Sequence, residues 1–311
     1  MKARVLSRSI LFIRLSLLLT LLLGVAQSTV AQSRSMVLAG PASKSKNLSE
    51  AEVPSYGWAR AESSTPAAAV GAGYALQFDG VDDFVSIADS GDFDFDETFT
   101  VEVWAKPSSL SGSGSYKAFL SGSSAEPPSV GGAWKFFLSS ANYSSWGLAV
   151  CVPGCSSAQS GSGGLQVNQW QHLAATYDGS NILIYKDGAL VDTRAHSGNV
   201  SNVQFVLVGI WETSFDGLID EVRVWNITRT QTEIQDNKDH SLNGDESGLV
   251  GYWEFDEGTG QVVNDSTSNN NDGRLGELPA SDDKDPVWVV SDAPINAPTD
   301  HIFLALVLRS N

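Results

Sequence analysis

Gly217-Leu218-Ile219-Asp220-Glu221-Val222-Arg223-Val224-Trp225 reads as a β-strand, and far upstream Leu76-Gln77-Phe78-Asp79-Gly80-Val81-Asp82-Asp83-Phe84-Val85 reads as a strand, a glycine turn and a second strand. With a side-chain period of two, Leu218, Val222 and Val224 share one face of the first stretch, and Glu221, Arg223 and Trp225 share the other. Asp220 then points with the apolar residues. An inward carboxylate costs several kcal/mol unless it gains a cation or several hydrogen-bond donors, so the strand is expected to hold something there.

The first 31 residues carry Lys2, Arg4, Arg8 and Arg14, then an apolar run from Leu15 to Ala26, then the small-residue exit Thr29-Val30-Ala31. This is the pattern of a secretory signal peptide, with an apolar run too short for a comfortable membrane span. Its removal takes the net charge from −17 to −21. Such acidity makes nucleic acid and anionic lipid poor partners and suits either extracellular solubility or carboxylates awaiting Ca²⁺. Cys151 and Cys155 are the only cysteines. In an exported chain they are expected to form a local disulfide, and two thiols alone do not complete a zinc site.

Residues 32–71 are rich in Ser, Ala, Pro and Gly and read as a flexible leader. From 72 to 292 short strands alternate with turn signals, which predicts an all-β, two-sheet antiparallel jelly-roll sandwich with one short helix. Phe99, Val101, Val103 and Ala105 alternate with Thr100, Glu102 and Trp104; the turns Asp178-Gly179 and Asp187-Gly188 describe a meander. Phe205–Gly209 and Leu218–Trp225 are expected to pair. Thr230 and Glu233 form a capping box, which predicts a helix from Gln231 to His240. Residues 293–311 form a linker and a tail whose apolar run, Ile302 to Leu308, is too short to cross a bilayer.

Leu76–Gly80 with Asp82–Val85, Phe99–Trp104, Trp170–Ala174 with Tyr177–Gly179, Tyr185–Gly188 and Phe215–Trp225 resemble the laminin G-like domains of the concanavalin A-like lectin/glucanase superfamily, near the pentraxins. Tyr252–Gly258 with Asn271-Asp272-Gly273 resembles a segment that accompanies such domains in bacterial secreted proteins. The resemblance implies a concanavalin A-like jelly roll, usually a binding or adhesion module, often with one Ca²⁺ at an edge. The superfamily holds both lectins and glycosidases, so the site decides the function.

Asp79, Asp83 and Asp220 are the metal candidates, with Asp79 and Asp220 expected to meet at one rim beside glycines that let carbonyls approach an ion. The competing reading makes them hydrogen-bond acceptors that tie loops. Trp211, Trp146 and Tyr143 sit in loop-like sequence and are the candidates for an exposed sugar-binding surface. The polar run Asp265–Gly273 lacks EF-hand spacing and reads as a solvated turn. Glu254 and Asp256 share a face and are the only pair offered to a retaining glycosidase; Glu257 falls opposite, which counts against hydrolysis. His172, in a strand beside Trp170, reads as packed rather than catalytic. The sequence is therefore read as a secreted or cell-surface, non-enzymatic module that binds a glycan or an extracellular protein, with a structural Ca²⁺. A glycoside hydrolase and a structural surface component are the alternatives.

Overall fold

A computed structural model describes residues 73–296 apart from 112–115, 125–131, 140–142, 152–154, 162–163, 201 and 278–279. The expected signal segment, leader and apolar tail lie outside the described residues. In chain order the strands are β1 Tyr74–Asp79, β2 Val85–Ala88, β3 Phe99–Pro107, β4 Lys117–Ser123, β5 Gly132–Leu138, β6 Trp146–Cys151, β7 Cys155–Gln159, β8 Gln171–Tyr177, β9 Asn181–Lys186, β10 Ala189–Ala195, β11 Phe205–Val208 and β12 Asp216–Trp225. The helix α1 Gln231–Asn237 follows, then β13 Leu249–Trp253, β14 Val262–Val263, β15 Gly273–Leu275 and β16 Val287–Val290.

Two antiparallel sheets face one another. One runs β10-β9-β8-β3-β12-β1-β16, with β13 also on β12, and the other runs β14-β15-β2-β11-β4-β5-β6-β7. The alternation read in β3 is realised: Phe99, Val101, Val103 and Ala105 enter the core between the sheets. Trp134 stands at the centre of that core, 5.4 Å from the Phe99 ring and 6.4 Å from Phe95. Stacked and tilted ring pairs of this kind add about 0.5–1.5 kcal/mol each beyond their buried area. Asp187 and Gly188 both take positive φ, 50° and 79°, as the tight β9–β10 hairpin requires. Cys151 and Cys155 are disulfide-bonded across the β6–β7 turn.

Three expectations about the frame are corrected. Phe205–Val208 and Asp216–Trp225 do not pair: β11 lies between β2 and β4 in one sheet and β12 lies between β1 and β3 in the other. The chain changes sheets at Gly209, whose φ of 85° lets the backbone turn where a Cβ would collide with the Phe78 ring. The helix stops at Asn237, short of His240. Its C-terminal carbonyls leave the helical ladder to accept from β-sheet side chains: Asn237 O and His240 O from Arg223, and Lys238 O from Trp104 Nε1. At the other end the capping box is present as read, with Thr230 and Glu233 bonding each other's backbone N–H.

The third correction concerns β12. Glu221 has φ 52° and the register against β3 shifts between Asp220 and Arg223, so an extra residue is inserted there. Ile219, Val222 and Val224 face the core, and Leu218 does not. Asp220 therefore leaves the sheet on the outer side, with Glu221 and Arg223. The same bulge divides β12 between two neighbours: residues 216–219 pair with β1 and residues 222–225 with β13.

Candidate functional site

Where β1 begins and β13 ends, side by side along β12, the sheet opens into a cavity of about 480 Å³. Asp220, Glu221, Glu254 and Asp256 line it, with Ser241, Asn243 and Ser291. Two non-glycine residues with positive φ, Glu221 and Phe255, turn the carboxylates toward it. Asp256 accepts from Tyr74 N at 2.7 Å and so joins the two strand ends; Glu254 accepts from Ser266 Oγ at 2.7 Å. Asp220 accepts from Ser291 Oγ at 2.6 Å and from Glu221 N at 2.9 Å. Burial pushes the Asp220 carboxyl well above its ordinary range, and the charges of Glu221 and Asp256 push the same way. Burial likewise raises Glu254.

A raised folded-state pKa means that the stability Asp220 contributes is present below its unfolded value of 3.8 and is lost as pH rises through the folded value. Asp220→Asn keeps an acceptor for Glu221 N and abolishes the buried charge. In EDTA, its melting temperature is expected to exceed that of the wild type at pH 8, with the difference closing toward pH 4. An equal difference at every pH would contradict this origin.

Asp79 is not at that cavity. It pairs with Asp216, four residues along β12 from Asp220, about 13 Å at roughly 3.3 Å per residue. The two acids expected to share an ion are thus separated, because both lie on adjacent strands but at different heights. Asp79 instead meets its own turn: oxygens of Asp79, Asp82 and Asp83 lie within 4.8 Å of one another. The turn is self-organised, with Asp83 Oδ2 accepting from Asp79 N and Asp79 Oδ1 from Val81 N, both at 2.7 Å. Asp83 is buried, and burial raises its pKa to about 6, opposed by the Asp79 N–H and reinforced by the charges of Asp79, Asp82 and Asp285. Lys117 Nζ closes one side by donating to Gly80 O at 3.1 Å.

Of the aromatic candidates, only Trp211 keeps exposure. Trp146 is fully buried and packs 5.7 Å from Phe136, and Tyr143 is 5% exposed within the same core. They are core residues, not ligand contacts; the serines around them resemble a loop, but β6 starts at Trp146 and its side chain faces the opposite sheet. Trp211 lies across Gly132, where a Cβ would collide with its ring. Its loop rests on the acidic turn through Ser214 N, which donates to Val81 O at 3.3 Å. The Trp211 loop and the Asp79–Asp83 turn are therefore joined by a backbone hydrogen bond.

A laminin G model described as the concanavalin A-like lectin/glucanases superfamily matches residues 79–235. The chain belongs to this superfamily. Mouse pappalysin-1 is 36% identical over 74 residues, which is 21% of this laminin G-type chain and 5% of pappalysin-1. Among solved structures, a Bacteroides ovatus protein ascribed carbohydrate binding aligns with TM-score 0.55 and 20% identity, over 72% of this chain and 62% of that one. The mouse laminin α1 chain domains LG4-5 align with TM-score 0.39 and 17% identity, over 50% of this chain and 41% of theirs. These structural likenesses are of fold. The laminin G-type chain spans a small fraction of pappalysin-1 and less than two thirds of the B. ovatus protein.

The outer face of the laminin G-type sheet also carries a buried ionic network that the strand pattern alone does not announce. Glu102 accepts from Arg229 Nη1 at 2.8 Å and lies 3.2 Å from His172 Nε2. Despite its own burial, the His172 contact and the charge of Arg229 hold Glu102 down at about 2. Burial lowers His172, which packs 5.5 Å from the Trp104 ring as a structural residue. Arg223, fully buried, donates to Glu221 Oε2 at 2.6 Å, and Tyr252 Oη donates to the same oxygen at 2.8 Å. Asp265, Thr267 and Asn271 are buried too, so the expected solvated turn is a packed one. Among the described residues no helix is long and apolar enough to cross a membrane.

Proposed function

We propose that the chain is a non-enzymatic, extracellular recognition module that binds a glycan at the rim formed by Trp211 and the Asp79–Asp83 turn, with Ca²⁺ held by that turn. The observation that carries this is the hydrogen bond from Ser214 N to Val81 O, which ties the loop of the half-buried Trp211 to the turn that carries three convergent carboxylates. A flat aromatic face rimmed by polar groups suits a sugar ring. Asp79, Asp82 and Asp83 supply the hard oxygen ligands that Ca²⁺ takes, and a cation there would relieve the cost of the buried Asp83 charge. The B. ovatus relative in fold supports a carbohydrate partner.

Ca²⁺ at one hundred times its dissociation constant stabilises the folded state by about 2.7 kcal/mol. For a domain of this size that corresponds to a melting-temperature rise of about 5–10 °C over an EDTA-treated sample. The rise is expected to vanish in Asp82→Asn/Asp83→Asn, while glycan-array binding in Ca²⁺ is lost in Trp211→Ala. Superimposed melting curves with EDTA and with Ca²⁺ would remove the ion; array binding that survives Trp211→Ala would move the sugar elsewhere.

Glu254 and Asp256 do line one cavity, which is what a glycosidase would need. That cavity has no aromatic ring in its described lining and Glu254 is tied to Ser266, so hydrolysis is not the reading adopted.

A further inference from the structure

Six lysines are described, and five donate to an oxygen: Lys106 to Asp292, Lys117 to Gly80 O, Lys186 to Gly164 O, Lys238 to Asp239 and Lys284 to Glu277. Lys135 is the exception among the described residues. Its Nζ lies 3.7 Å from the Tyr116 ring centroid, 4.9 Å from Trp211 and 5.4 Å from Phe137, and among the described residues it has no ion pair or hydrogen bond. Glu212, the acid of this corner, is engaged by Tyr116 N at 2.8 Å. The rings shield the half-buried ammonium from part of its water, and this burial lowers its pKa, opposed by the charge of Glu212. Cation–π attraction offsets part of that loss but leaves its three N–H donors to water or to a ligand.

A half-buried ammonium with no acceptor among the described residues, walled by two partly exposed rings, is complementary to an anionic group carried beside an apolar sugar face. The net charge of −17 repels anions at long range, so this attraction acts only within about a Debye length, roughly 8–10 Å. We propose that Lys135, between Tyr116 and Trp211, makes this rim selective for anionic saccharides, bearing a carboxylate or a sulfate ester. This rests on the reading of the rim as glycan-binding and adds the charge of the ligand.

The test is calorimetric titration of the whole protein in Ca²⁺ with a panel of oligouronates, their methyl esters and sulfated galactan oligosaccharides. The free acids or the sulfate esters are expected to bind about tenfold more tightly than the neutral esters, the effect of one charge-assisted hydrogen bond. Lys135→Met should erase that preference, acid and ester then binding alike, and Lys135→Arg should keep most of it. The relative strength of the carboxylate and sulfate arms assigns the anion. Equal affinity for acid and ester, or a preference that survives Lys135→Met, overturns the anionic selectivity and leaves a neutral glycan site standing. Binding to none of the panel, with Trp211→Ala indistinguishable from the wild type, overturns the glycan site together with it.

Discussion

Arg223→Met is expected to lower stability by about 3–5 kcal/mol, the cost of removing one partner from a buried ion pair. The guanidinium does three jobs: it neutralises Glu221 at 2.6 Å, it closes α1 by donating to Asn237 O at 3.0 Å, and it holds the following turn through His240 O at 2.6 Å. Methionine fills similar volume and makes none of these bonds. His240 O then loses the Arg223 donor, Asn237 O keeps only His240 N at 3.3 Å, and Glu221 keeps only the Tyr252 hydroxyl against a buried charge. Urea unfolding should show a lower midpoint with an unchanged slope. Glu221→Gln in the same chain should recover part of the loss, because the orphaned charge goes with it. An unfolding free energy within about 1 kcal/mol of the wild type would mean that water reaches this network and that the helix is closed by other means.

Asp265→Ala should cost a comparable amount, for a different reason. One carboxylate accepts from Tyr252 N at 3.0 Å, Thr267 N at 3.0 Å, Thr267 Oγ1 at 2.8 Å and Asn271 N at 2.9 Å. Three backbone N–H groups are left buried without an acceptor, at about 1–3 kcal/mol each before relaxation. The expected total is about 3–5 kcal/mol. The turn it organises also carries Asn271 O, which accepts from Trp253 Nε1 at 3.0 Å, so the loss reaches the core. Asp265→Asn keeps one oxygen and should cost about half as much. Amide exchange at Tyr252 and Asn271 is the direct measure: if those amides stay protected in Asp265→Ala, the turn is not held by this carboxylate.

Local pattern made much of this frame legible. Alternation placed the faces of β3, the Asp-Gly pair placed the β9–β10 turn, and the capping box placed the start of α1, because each of these is settled within a few residues of chain. Asp220 was misplaced because a period of two was carried through a bulge. The trace was present: Ile219 and Val222, both in the core, are three residues apart, an odd step that a regular strand does not make. Arg223 gave no such trace, since only the helix end and Glu221, brought close by folding, make a buried guanidinium tolerable. For Trp146 and Tyr143, flanking serines imitated a loop. Trp211 lies against Gly132, a residue on another strand, and whether Lys135 meets an acceptor among the described residues depends on which oxygens the fold brings near. Neither is written in neighbouring residues.

The register of β1 on β16 places Tyr74 opposite Val290, so the entry to the sandwich and its exit stand next to each other. Ser291 N donates to Gly73 O at 3.0 Å and fastens the two ends. Tension applied through both ends would open this seam as a zipper, one rung after another, instead of loading every rung in shear at once. As a mechanical element the module is compliant at its base. A tether stretched by a bound surface would yield first there, far along the chain from Trp211.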